Sequence, residues 1–332
     1  MSKLITFDDV QYTCDDSETV LQAINRDEKI IPHSCKNGLC QTCLLRVTEG
    51  DVPATSQIGL KDTLIRKGYF LSCTCKPETD LNISWPKDHD LFGHATVLTK
   101  EFITPDICRL TLETSIPLYY HAGQFINLKR SNRVIRSYSI ASVPSLDNYL
   151  EVHIKRKENG KLSNWVFERV EPWKNIDIQG PGGECYYRPE FRQMNLLLIG
   201  TGTGIAPLTG IVRDALNSGH QGEIHLYHGS HSAQGVYLHQ QLTQMQQQYK
   251  NFFYHGCVSS PDTPGQGYRH GRADDLAFTD HPDLKNRIIF LAGMPLMVSG
   301  AIETATKAGA EPQQIFAEPF DVNELRLKPR DE

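Results

Sequence analysis

Three cysteines lie close together near the start of the chain, in the segment HSCKNGLCQTC. Cys35, Cys40 and Cys43 have the spacing Cys-x4-Cys-x2-Cys, which occurs in [2Fe–2S] clusters that take their fourth thiolate from a distant position. Cys73 and Cys75, in the segment LSCTC, are the candidates for that fourth ligand. Four thiolates around two irons would give the chain a carrier of single electrons.

Structural zinc is the alternative interpretation of the same cysteines. Zinc ribbons usually contain two Cys-x2-Cys pairs, whereas Cys40 and Cys43 form the one such pair in this sequence. The spacing therefore favours an iron–sulfur cluster, with zinc as the second interpretation. The remaining cysteines stand alone, and we interpret them as small apolar core residues: Cys14, Cys108, Cys185 and Cys257.

A second group of residues has the chemistry to bind a phosphorylated cofactor with an aromatic ring. In the segment RSYS, Arg136 is suited to a diphosphate, Tyr138 to ring packing and Ser139 to a hydrogen bond with a ring nitrogen. An ordinary β-strand is the alternative, because four residues are a weak signal. Downstream, GKLSNW opens a helix with Ser163 and free N–H groups, which is typical of a phosphate site. The segment VHIK contributes two further polar residues, His153 and Lys155.

A third candidate site is the glycine-rich turn GTGTGIAP, which begins at Gly200 after the apolar run NLLLI. A turn of this kind between a strand and a helix lets the backbone approach a diphosphate at the positive end of the helix. The turn does not satisfy the dinucleotide fingerprint G-x-G-x-x-G, because Ile205 occupies the last glycine position. The sequence therefore predicts a nucleotide site that matches the dehydrogenase pattern poorly.

The three sites fall in three stretches with different hydrophobic patterns. Short strand-like runs and the helix-like TVLQAI surround the cysteines, and the charged segment PKDHDLFG is typical of a linker. Strands of period two follow over 94–188, interrupted by a helical segment at 162–170, as in a small barrel or sandwich. Continuous apolar runs that alternate with helical segments then indicate a doubly wound α/β domain.

These patterns predict a multidomain chain with α+β and α/β parts. Its 332 residues suffice for two or three domains. We place the predicted domains at 1–88 for the cysteine cluster, 92–190 for the small barrel or sandwich and 191–332 for a doubly wound parallel α/β nucleotide domain.

The composition narrows the functional classes. The net charge of −5 gives no indication of the basic face that a nucleic acid partner requires. No window approaches the ~18 consecutive apolar residues of a membrane helix, and the opening MSKLITFDDV does not have the form of a signal peptide. We therefore expect a cytoplasmic protein with neither a membrane nor a nucleic acid as its partner.

The cysteine segment and the later stretch CTCKPETDLNI resemble plant-type ferredoxins, which implies a β-grasp domain. In that family the fourth ligand is followed by a proline four positions on and by an acidic residue seven positions on. Pro77 and Asp80 hold those places relative to Cys73. The resemblance therefore implies that Cys73 is the fourth ligand and that Cys75 is not one. Gln41 departs from the family, whose members usually carry a small residue there.

The middle stretch resembles the FAD-binding barrel of the ferredoxin–NADP reductase superfamily, through its R-x-Y-S and G-x-L-S motifs, which implies an antiparallel β-barrel that binds FAD over 92–190. The resemblance implies that Arg136 and Ser163 hold the FAD diphosphate, that Tyr138 packs on the flavin and that Ser139 faces its N5 atom. The other residues implied to bind the cofactor are Gly160 and Leu162 of the G-x-L-S motif, with His153 and Lys155 along the cofactor tail.

The same superfamily carries GTGIAP as its nicotinamide nucleotide loop. The resemblance implies nucleotide contacts for the loop residues Gly200, Thr201, Gly202, Thr203, Gly204, Ala206 and Pro207. The later segment LAGMPLMV adds Gly293 and Met294, with Ala292 where relatives carry a cysteine near the nicotinamide. In FAEPF, Glu318 and Phe320 stand where relatives place an acid and an aromatic residue beside the flavin. The predicted catalytic residues are Ser139, Tyr138, Glu318 and Phe320.

The order of ferredoxin, FAD and nucleotide modules resembles the electron-transfer reductase components of multicomponent oxygenases. This resemblance implies an oxidoreductase that passes electrons from NADH through FAD and a [2Fe–2S] cluster, one at a time, to a partner oxygenase. Two alternatives are a reductase for a deoxysugar dehydratase or other redox protein, and a non-catalytic redox or nucleotide sensor.

The choice between NADH and NADPH depends on the residues after the predicted strand EIHLYHGS. A 2′-phosphate favours arginine or lysine there, and the following HSAQGVYLHQ contains neither. We therefore expect NADH, although Ser230 and His231 have the chemistry to contact a phosphate.

Overall fold

Three β-sheets follow one another along the part of the chain that the computed structural model describes, residues 2–26, 30–261, 265 and 267–320. The elements of the first part are β1 (Lys3–Phe7), β2 (Val10–Cys14), α1 (Val20–Ile24), β3 (Leu44–Glu49), α2 (Asp62–Ile65), β4 (Tyr69–Leu71) and β5 (Leu81–Ser84). Their strand order is β2-β1-β5-β3-β4, with β1 and β5 parallel.

A capping box begins α1 and helps to position the cysteines. The Gln22 N–H donates to Thr19 Oγ1 at 3.3 Å, and the Thr19 N–H donates to Gln22 Oε1 at 2.8 Å. The first two N–H groups of the helix, those of Val20 and Leu21, donate to the carbonyls of Cys75 and Ser72. The start of α1 therefore fixes the backbone on both sides of Cys73.

The segment that we predicted as a linker contains a short helix, α3 (Asp88–Leu91). Its Asp90 accepts hydrogen bonds from Lys67 Nζ at 2.5 Å and from the Tyr69 hydroxyl at 2.8 Å. Acidic residues stabilise the first turn of a helix, and these bonds tie the helix to the first sheet. The sequence did not predict this helix, and the assignment of the segment as a linker stays a prediction.

The second sheet is antiparallel, with the strand order β10-β7-β6-β11-β8-β9. A bridge between Ile140, which follows β9, and Val152 in β10 brings the two edge strands together, as in a barrel. The elements are β6 (Gly93–Thr104), β7 (Ile107–Thr114), β8 (Phe125–Ser131), β9 (Val134–Ser139), β10 (Leu150–Lys155), α4 (Lys161–Arg169) and β11 (Asn175–Gly182).

The third sheet is parallel, with the strand order β15-β14-β13-β12-β16-β17. Separate apolar clusters cover its two faces. The elements are β12 (Asn195–Thr201), α5 (Ile205–Asn217), β13 (Ile224–Ser230), α6 (His239–Gln248), β14 (Phe252–Val258), β15 (Arg269–His270), α7 (Ala273–Asp280), β16 (Arg287–Gly293), α8 (Pro295–Lys307) and β17 (Ile315–Pro319).

The predicted fold class is confirmed, with a mixed sheet in the part that carries the cysteines, an antiparallel sheet and a parallel α/β domain in that order. The helix predicted at 162–170 corresponds to α4. The domain boundaries at 1–88, 92–190 and 191–332 stay predictions. Among the described residues, no helix combines the length and the apolar composition needed to cross a bilayer.

Candidate functional site

The cysteine loop turns its backbone amides toward a sulfur. The N–H groups of Asn37, Leu39 and Cys40 donate to Cys35 Sγ at 3.4, 3.3 and 3.3 Å. The Cys35 N–H in turn donates to Cys40 Sγ at 3.4 Å. A hydrogen bond with the Cys40 thiol and these backbone donors lower the pKa of Cys35 to about 5. The loop therefore favours a thiolate, which is the form that binds iron.

Cys43 and Cys73 form a second pair of thiols. A hydrogen bond between them, together with a backbone bond from Gly38, lowers the pKa of Cys73, while the same pairing and burial raise the pKa of Cys43. The Ser72 hydroxyl donates to the Cys43 carbonyl at 2.8 Å and joins the two segments. The four predicted ligands thus lie together as two pairs, Cys35 with Cys40 and Cys43 with Cys73.

This pairing suits two irons better than one ion. A [2Fe–2S] cluster with four cysteine ligands needs two thiolates on each iron, and two thiol pairs provide them. We therefore keep the cluster interpretation over zinc.

Cys75 has a different environment. It is fully buried in the core of the first sheet, and burial raises the pKa of its thiol to about 12, although a hydrogen bond with Ser56 acts in the other direction. Its carbonyl accepts from the start of α1. The ligand prediction of Cys73 over Cys75 is consistent with this placement and stays a prediction.

The R-x-Y-S motif lies on β9, and its last residue reaches the third domain. The Ser139 hydroxyl donates to Glu318 Oε2 at 2.9 Å. Burial raises the pKa of Glu318 to about 7, against the opposite effect of this hydrogen bond. Two predicted site residues 179 positions apart are thus in direct contact. The carboxyl can exist in either protonation state near neutral pH.

The other residues of this motif leave groups free to meet a ligand. Arg136 is half-buried, and its Nη1 donates to the Ile135 carbonyl at 2.8 Å, which uses one of five guanidinium N–H groups. Tyr138 packs against the barrel core, and burial raises the pKa of its hydroxyl. A charged fork and an aromatic ring on one strand suit a diphosphate and a flavin ring.

The start of α4 fits a phosphate. Gly160 is the N-cap and supplies no side chain to the free N–H groups of the first turn. A Cβ atom at Gly160 would lie 2.2 Å from Ser163 Oγ, so a larger residue there would displace the Ser163 hydroxyl. Ser163 is buried and its Oγ accepts from the Lys157 N–H at 3.2 Å, while Leu162 packs in the barrel core.

Two residues expected along the cofactor tail have partners within the protein. Both ring nitrogens of the buried His153 are engaged, Nδ1 with the Tyr237 hydroxyl at 2.9 Å and Nε2 with Glu151 Oε1 at 2.9 Å. Lys155 forms an ion pair with Asp106 at 3.2 Å. The structure places His153 between the second and third domains, and the cofactor contacts of His153 and Lys155 stay predictions.

Glycine occupies three positions of the nucleotide loop for different physical reasons. Gly202 has φ +56°, and a Cβ atom there would meet nothing within 4 Å, so its backbone faces open space. A Cβ at Gly204 would lie 2.2 Å from the Ala292 carbonyl, and one at Gly200 would lie 2.8 Å from Leu208 Cδ1. Gly202 therefore opens the loop to a ligand, and the other two glycines allow close packing.

The remaining loop residues follow the same path. Thr203 lies in the short 3₁₀ turn Gly202–Gly204, and the buried Ala206 and Pro207 form the first turn of α5. Thr201 ends β12, and its Oγ1 accepts from the Met294 N–H at 3.0 Å. The two nucleotide segments are thus joined at their ends.

The segment after β16 lies next to Glu318. Gly293 has φ +124°, and a Cβ there would lie 2.5 Å from Thr201 Oγ1, so glycine allows β12 and β16 to converge. Ala292 is buried and pairs in register with Glu318 on β17. The Phe320 N–H donates to the Gly293 carbonyl at 2.7 Å. The predicted catalytic residues Ser139, Glu318 and Phe320 therefore gather at the edge of the nucleotide loop.

Tyr237 and Asn127 are among the domain-boundary residues that sequence reasoning missed. Tyr237 contacts His153 across the second boundary, and Asn127 of β8 donates to the Cys40 carbonyl at 2.8 Å across the first. Asn127 carried one available signal: it is a polar residue inside the apolar strand FINL.

Family models match the three parts of the chain in this order. Residues 5–78 match a 2Fe-2S iron-sulfur cluster binding domain, 94–187 an oxidoreductase FAD-binding domain and 198–303 an oxidoreductase NAD-binding domain. Together with the thiol pairs, the β9 motif and the nucleotide loop, these matches define a flavin- and iron–sulfur-dependent oxidoreductase. Its cofactors are a [2Fe–2S] cluster, FAD and a nicotinamide nucleotide.

Full-length relatives narrow this class. The chain is 30% identical over 308 residues to the ferredoxin–NAD(P)+ reductase component of the naphthalene 1,2-dioxygenase/salicylate 5-hydroxylase systems of a Ralstonia species, covering 91% of this chain and 93% of the relative. It is 29% identical to the phenol hydroxylase P5 protein of Acinetobacter pittii, covering 96% and 95%. The chain belongs to the same family of reductase components as the Ralstonia relative.

The same arrangement occurs in a solved structure. The crystal structure of the Amycolatopsis cytochrome P450 reductase GcoB matches with a TM-score of 0.68 and 27% identity, covering 96% of this chain and 98% of that chain. The interpretation as a non-catalytic sensor has no support, since the family consists of oxidoreductases.

Proposed function

We propose that this chain oxidises NADH and delivers single electrons to the oxygenase component of a multicomponent system. The observation that carries the proposal is the contact of the three sites with one another. Ser139 of the FAD strand bonds Glu318 beside the nucleotide loop, and Asn127 of the same barrel bonds the carbonyl of Cys40 in the cysteine loop. A continuous protein path therefore links hydride entry to the one-electron carrier.

FAD, when bound, supplies the conversion between hydride transfer and single-electron transfer, and the cluster carries electrons one at a time. The protein supplies binding and orientation. Arg136 and the free N–H groups of α4 are suited to hold a diphosphate, Tyr138 to pack on a ring, and Ser139 to hydrogen-bond a ring atom.

Glu318 sets the charge beside Ser139. With a pKa of about 7 it is uncharged below neutral pH and a carboxylate above it. As a carboxylate it can only accept the Ser139 hydrogen bond, whereas its protonated form can also donate one. We propose that this exchange frees or occupies the Ser139 hydroxyl, and thus controls its availability to the flavin.

NADH is the proposed donor. The end of β13 carries Ser230 and the exposed His231 without a lysine or arginine. The nearest arginines of the following elements are paired, Arg269 with Asp280 and Arg272 with Asp274 at 3.1 Å. A 2′-phosphate would have to compete with these carboxylates, which favours NADH.

The acceptor is proposed from the relatives and from the exposed side of the cysteine loop. Leu39 directly precedes Cys40 and is 68% exposed, so an apolar side chain stands beside the cluster site on the surface. A second candidate acceptor is a deoxysugar dehydratase, because the CDP-6-deoxy-L-threo-D-glycero-4-hexulose-3-dehydrase reductase of Yersinia pestis is 27% identical over 93% of this chain.

Anaerobic NADH titration of the purified protein, followed by visible absorbance and electron paramagnetic resonance, tests the proposal. We expect bleaching of flavin and iron–sulfur absorbance and the signal of a reduced [2Fe–2S] centre. The same titration with NADPH should require a much higher concentration. Flavin absorbance without iron would contradict the assignment of the cluster. Equal reduction by NADPH would contradict the assignment of NADH as the donor.

Turnover with isolated acceptors separates the two candidate partners. We expect NADH oxidation to be coupled to an oxygenase component and to be slow with a dehydratase. Leu39→Ser should raise the KM for the protein acceptor and leave ferricyanide reduction unchanged, because a small acceptor does not need that surface. Val10→Ser, which removes an exposed apolar side chain from the edge strand β2 of the same domain, is the matched control.

A further inference from the structure

The cysteine loop meets the FAD barrel at a buried asparagine. Asn127 is 2% exposed. Its Nδ2 donates to the Cys40 carbonyl at 2.8 Å and to Gln179 Oε1 at 3.1 Å. Its Oδ1 accepts from the Ser137 hydroxyl at 2.8 Å. Both ends of the amide are therefore satisfied, and one of the bonds crosses from the barrel to the ferredoxin domain.

The alternation of β8 explains why this side chain faces the ferredoxin domain. Ile126 and Leu128 point into the barrel core, and Asn127 and Lys129 therefore lie on the opposite face. Lys129 is buried as well and pairs with Asp88 of α3. Burying an amide without partners is costly, so the face is built to be covered by the segment that supplies the Cys40 carbonyl.

The neighbours of Asn127 fix the direction of its amide. The Cys40 carbonyl can only accept, so the NH2 group must face it, and the Ser137 hydroxyl must then donate to the amide oxygen. Ser137 stands between Arg136 and Tyr138 on β9. Two hydrogen bonds thus connect the backbone of a predicted cluster ligand to the strand that is predicted to hold the flavin.

We propose that Asn127 is a positioning residue, which seats the cysteine loop on the FAD barrel and sets the distance for electron transfer between flavin and cluster. The inference rests on the proposed function. Electron transfer slows steeply as the gap between donor and acceptor grows. A bond to the backbone of Cys40 itself holds that gap more directly than contacts at the periphery of the domain.

Rapid mixing of the full-length holoprotein with NADH under anaerobic conditions tests this inference. For Asn127→Leu, which keeps the size and removes the hydrogen bonds, we expect flavin reduction at the wild-type rate. Cluster reduction should slow about tenfold, which corresponds to ~1.4 kcal/mol. Small-angle X-ray scattering should show a larger radius of gyration. Asn148→Asp, an exposed asparagine of the same barrel, is the control and should change neither quantity.

Asn127→Asp supplies a readout that a purely structural role would not change. At neutral pH its carboxylate has no donor for the Cys40 carbonyl, and cluster reduction should be slow. Protonation at low pH restores one O–H donor, so the rate relative to wild type should recover as the pH falls. Ser137→Ala, which removes the bond that orients the amide, should slow cluster reduction about two- to threefold.

The inference would be overturned if Asn127→Leu had the radius of gyration and the rate of cluster reduction of the wild-type protein. If that variant loses its cofactors, Asn127→Asp and Ser137→Ala decide the matter, and a pH-independent rate in the aspartate variant also counts against it. Failure of the proposed function looks different, because wild-type protein itself would then not reduce its cluster with NADH.

Discussion

The two domain boundaries of this reductase are built from different chemistry. Between the ferredoxin domain and the FAD barrel, the cysteine loop is held by the neutral amide of Asn127. Between the barrel and the nucleotide domain, Arg213 pairs with Asp147 through two bonds of 2.9 Å, and Ser139 bonds Glu318. The ion pair Lys129–Asp88 at the first boundary holds the linker helix rather than the cysteine loop.

The difference follows from what crosses each boundary. Hydride transfer between nicotinamide and flavin requires fixed geometry and a controlled proton inventory, for which charged and titratable groups are suited. A single electron crosses to the cluster without a proton. A neutral amide holds that boundary without adding a charge beside the iron, whose potential depends on nearby charge and hydrogen bonds.

Loss of a cluster ligand should have the largest effect of the changes predicted here. It removes the cluster, which is the electron acceptor on the far side of the first boundary. Cys73→Ser should abolish the cluster and the reduction of one-electron protein acceptors, while ferricyanide reduction by the flavin is retained. Iron content and electron paramagnetic resonance measure the first effect. Cys75→Ser is the control and should do little, since its thiol lies in the core. Exchanged phenotypes of the two variants would reassign the ligand.

Removal of the Ser139–Glu318 contact should affect only the step at the second boundary, which is the reduction of the flavin by NADH. Ser139→Ala should slow flavin reduction by NADH about 10²-fold, the usual loss for one oriented hydrogen-bond donor at a reacting group. Glu318→Gln should remove an inflection near pH 7 from the rate of flavin reduction, because the carboxyl of the wild-type protein titrates there. A pH profile that is the same in both proteins would exclude Glu318 as its source.

The same carboxyl predicts the sign of a stability change. The pKa of Glu318 is raised above its unfolded value, so the unfolded state binds fewer protons between about pH 4.5 and 7. The contribution of this group is favourable at low pH and is lost as the pH rises through that window. The midpoint temperature of thermal unfolding should fall less steeply with rising pH for Glu318→Gln than for the wild-type protein.

The two boundaries should also differ, by a smaller effect, in how salt changes the destabilisation caused by a variant at each of them. Asp147→Asn leaves Arg213 partly buried without its carboxylate and should destabilise the protein by about 1–3 kcal/mol. The loss should shrink at about 1 M salt, where ion pairs are screened. The destabilisation of Asn127→Leu should not depend on salt. Thermal unfolding midpoints at both salt concentrations measure this, and equal salt dependence would remove the distinction.

Gln41 should give the smallest effect. Its side chain contacts the Gly59 carbonyl at 3.4 Å and Gln179 at 3.5 Å, at the outer limit for hydrogen bonds. Its φ of +57° places it at a tight turn of the cysteine loop. Gln41→Gly should relieve the backbone and change cluster reduction less than twofold, about 0.4 kcal/mol. A change as large as that of Asn127→Leu would make Gln41 the residue that holds the boundary.

Much of the candidate site was predictable because its signals are local. The Cys-x4-Cys-x2-Cys spacing, the motif around Tyr138 and the turn at Gly202 each need a few consecutive residues with particular chemistry, and such chemistry is visible in the sequence. The helix α3 was missed, because Asp90 is held by Lys67 and Tyr69 from elsewhere in the chain. The contacts of His153 were missed for the same reason, since its partner Tyr237 belongs to another domain.

The sequence by itself determined the order of the three modules, the class of their cofactors and the residues of each motif, because short-range spacing specifies ligand geometry. Only the tertiary structure decided which residues meet across the boundaries. Ser139 contacts Glu318, which lies 179 positions away in the sequence, and Asn127 contacts Cys40, which lies 87 positions away. Such pairs depend on how whole domains pack, and packing free energy is spread over many residues rather than written in any one segment.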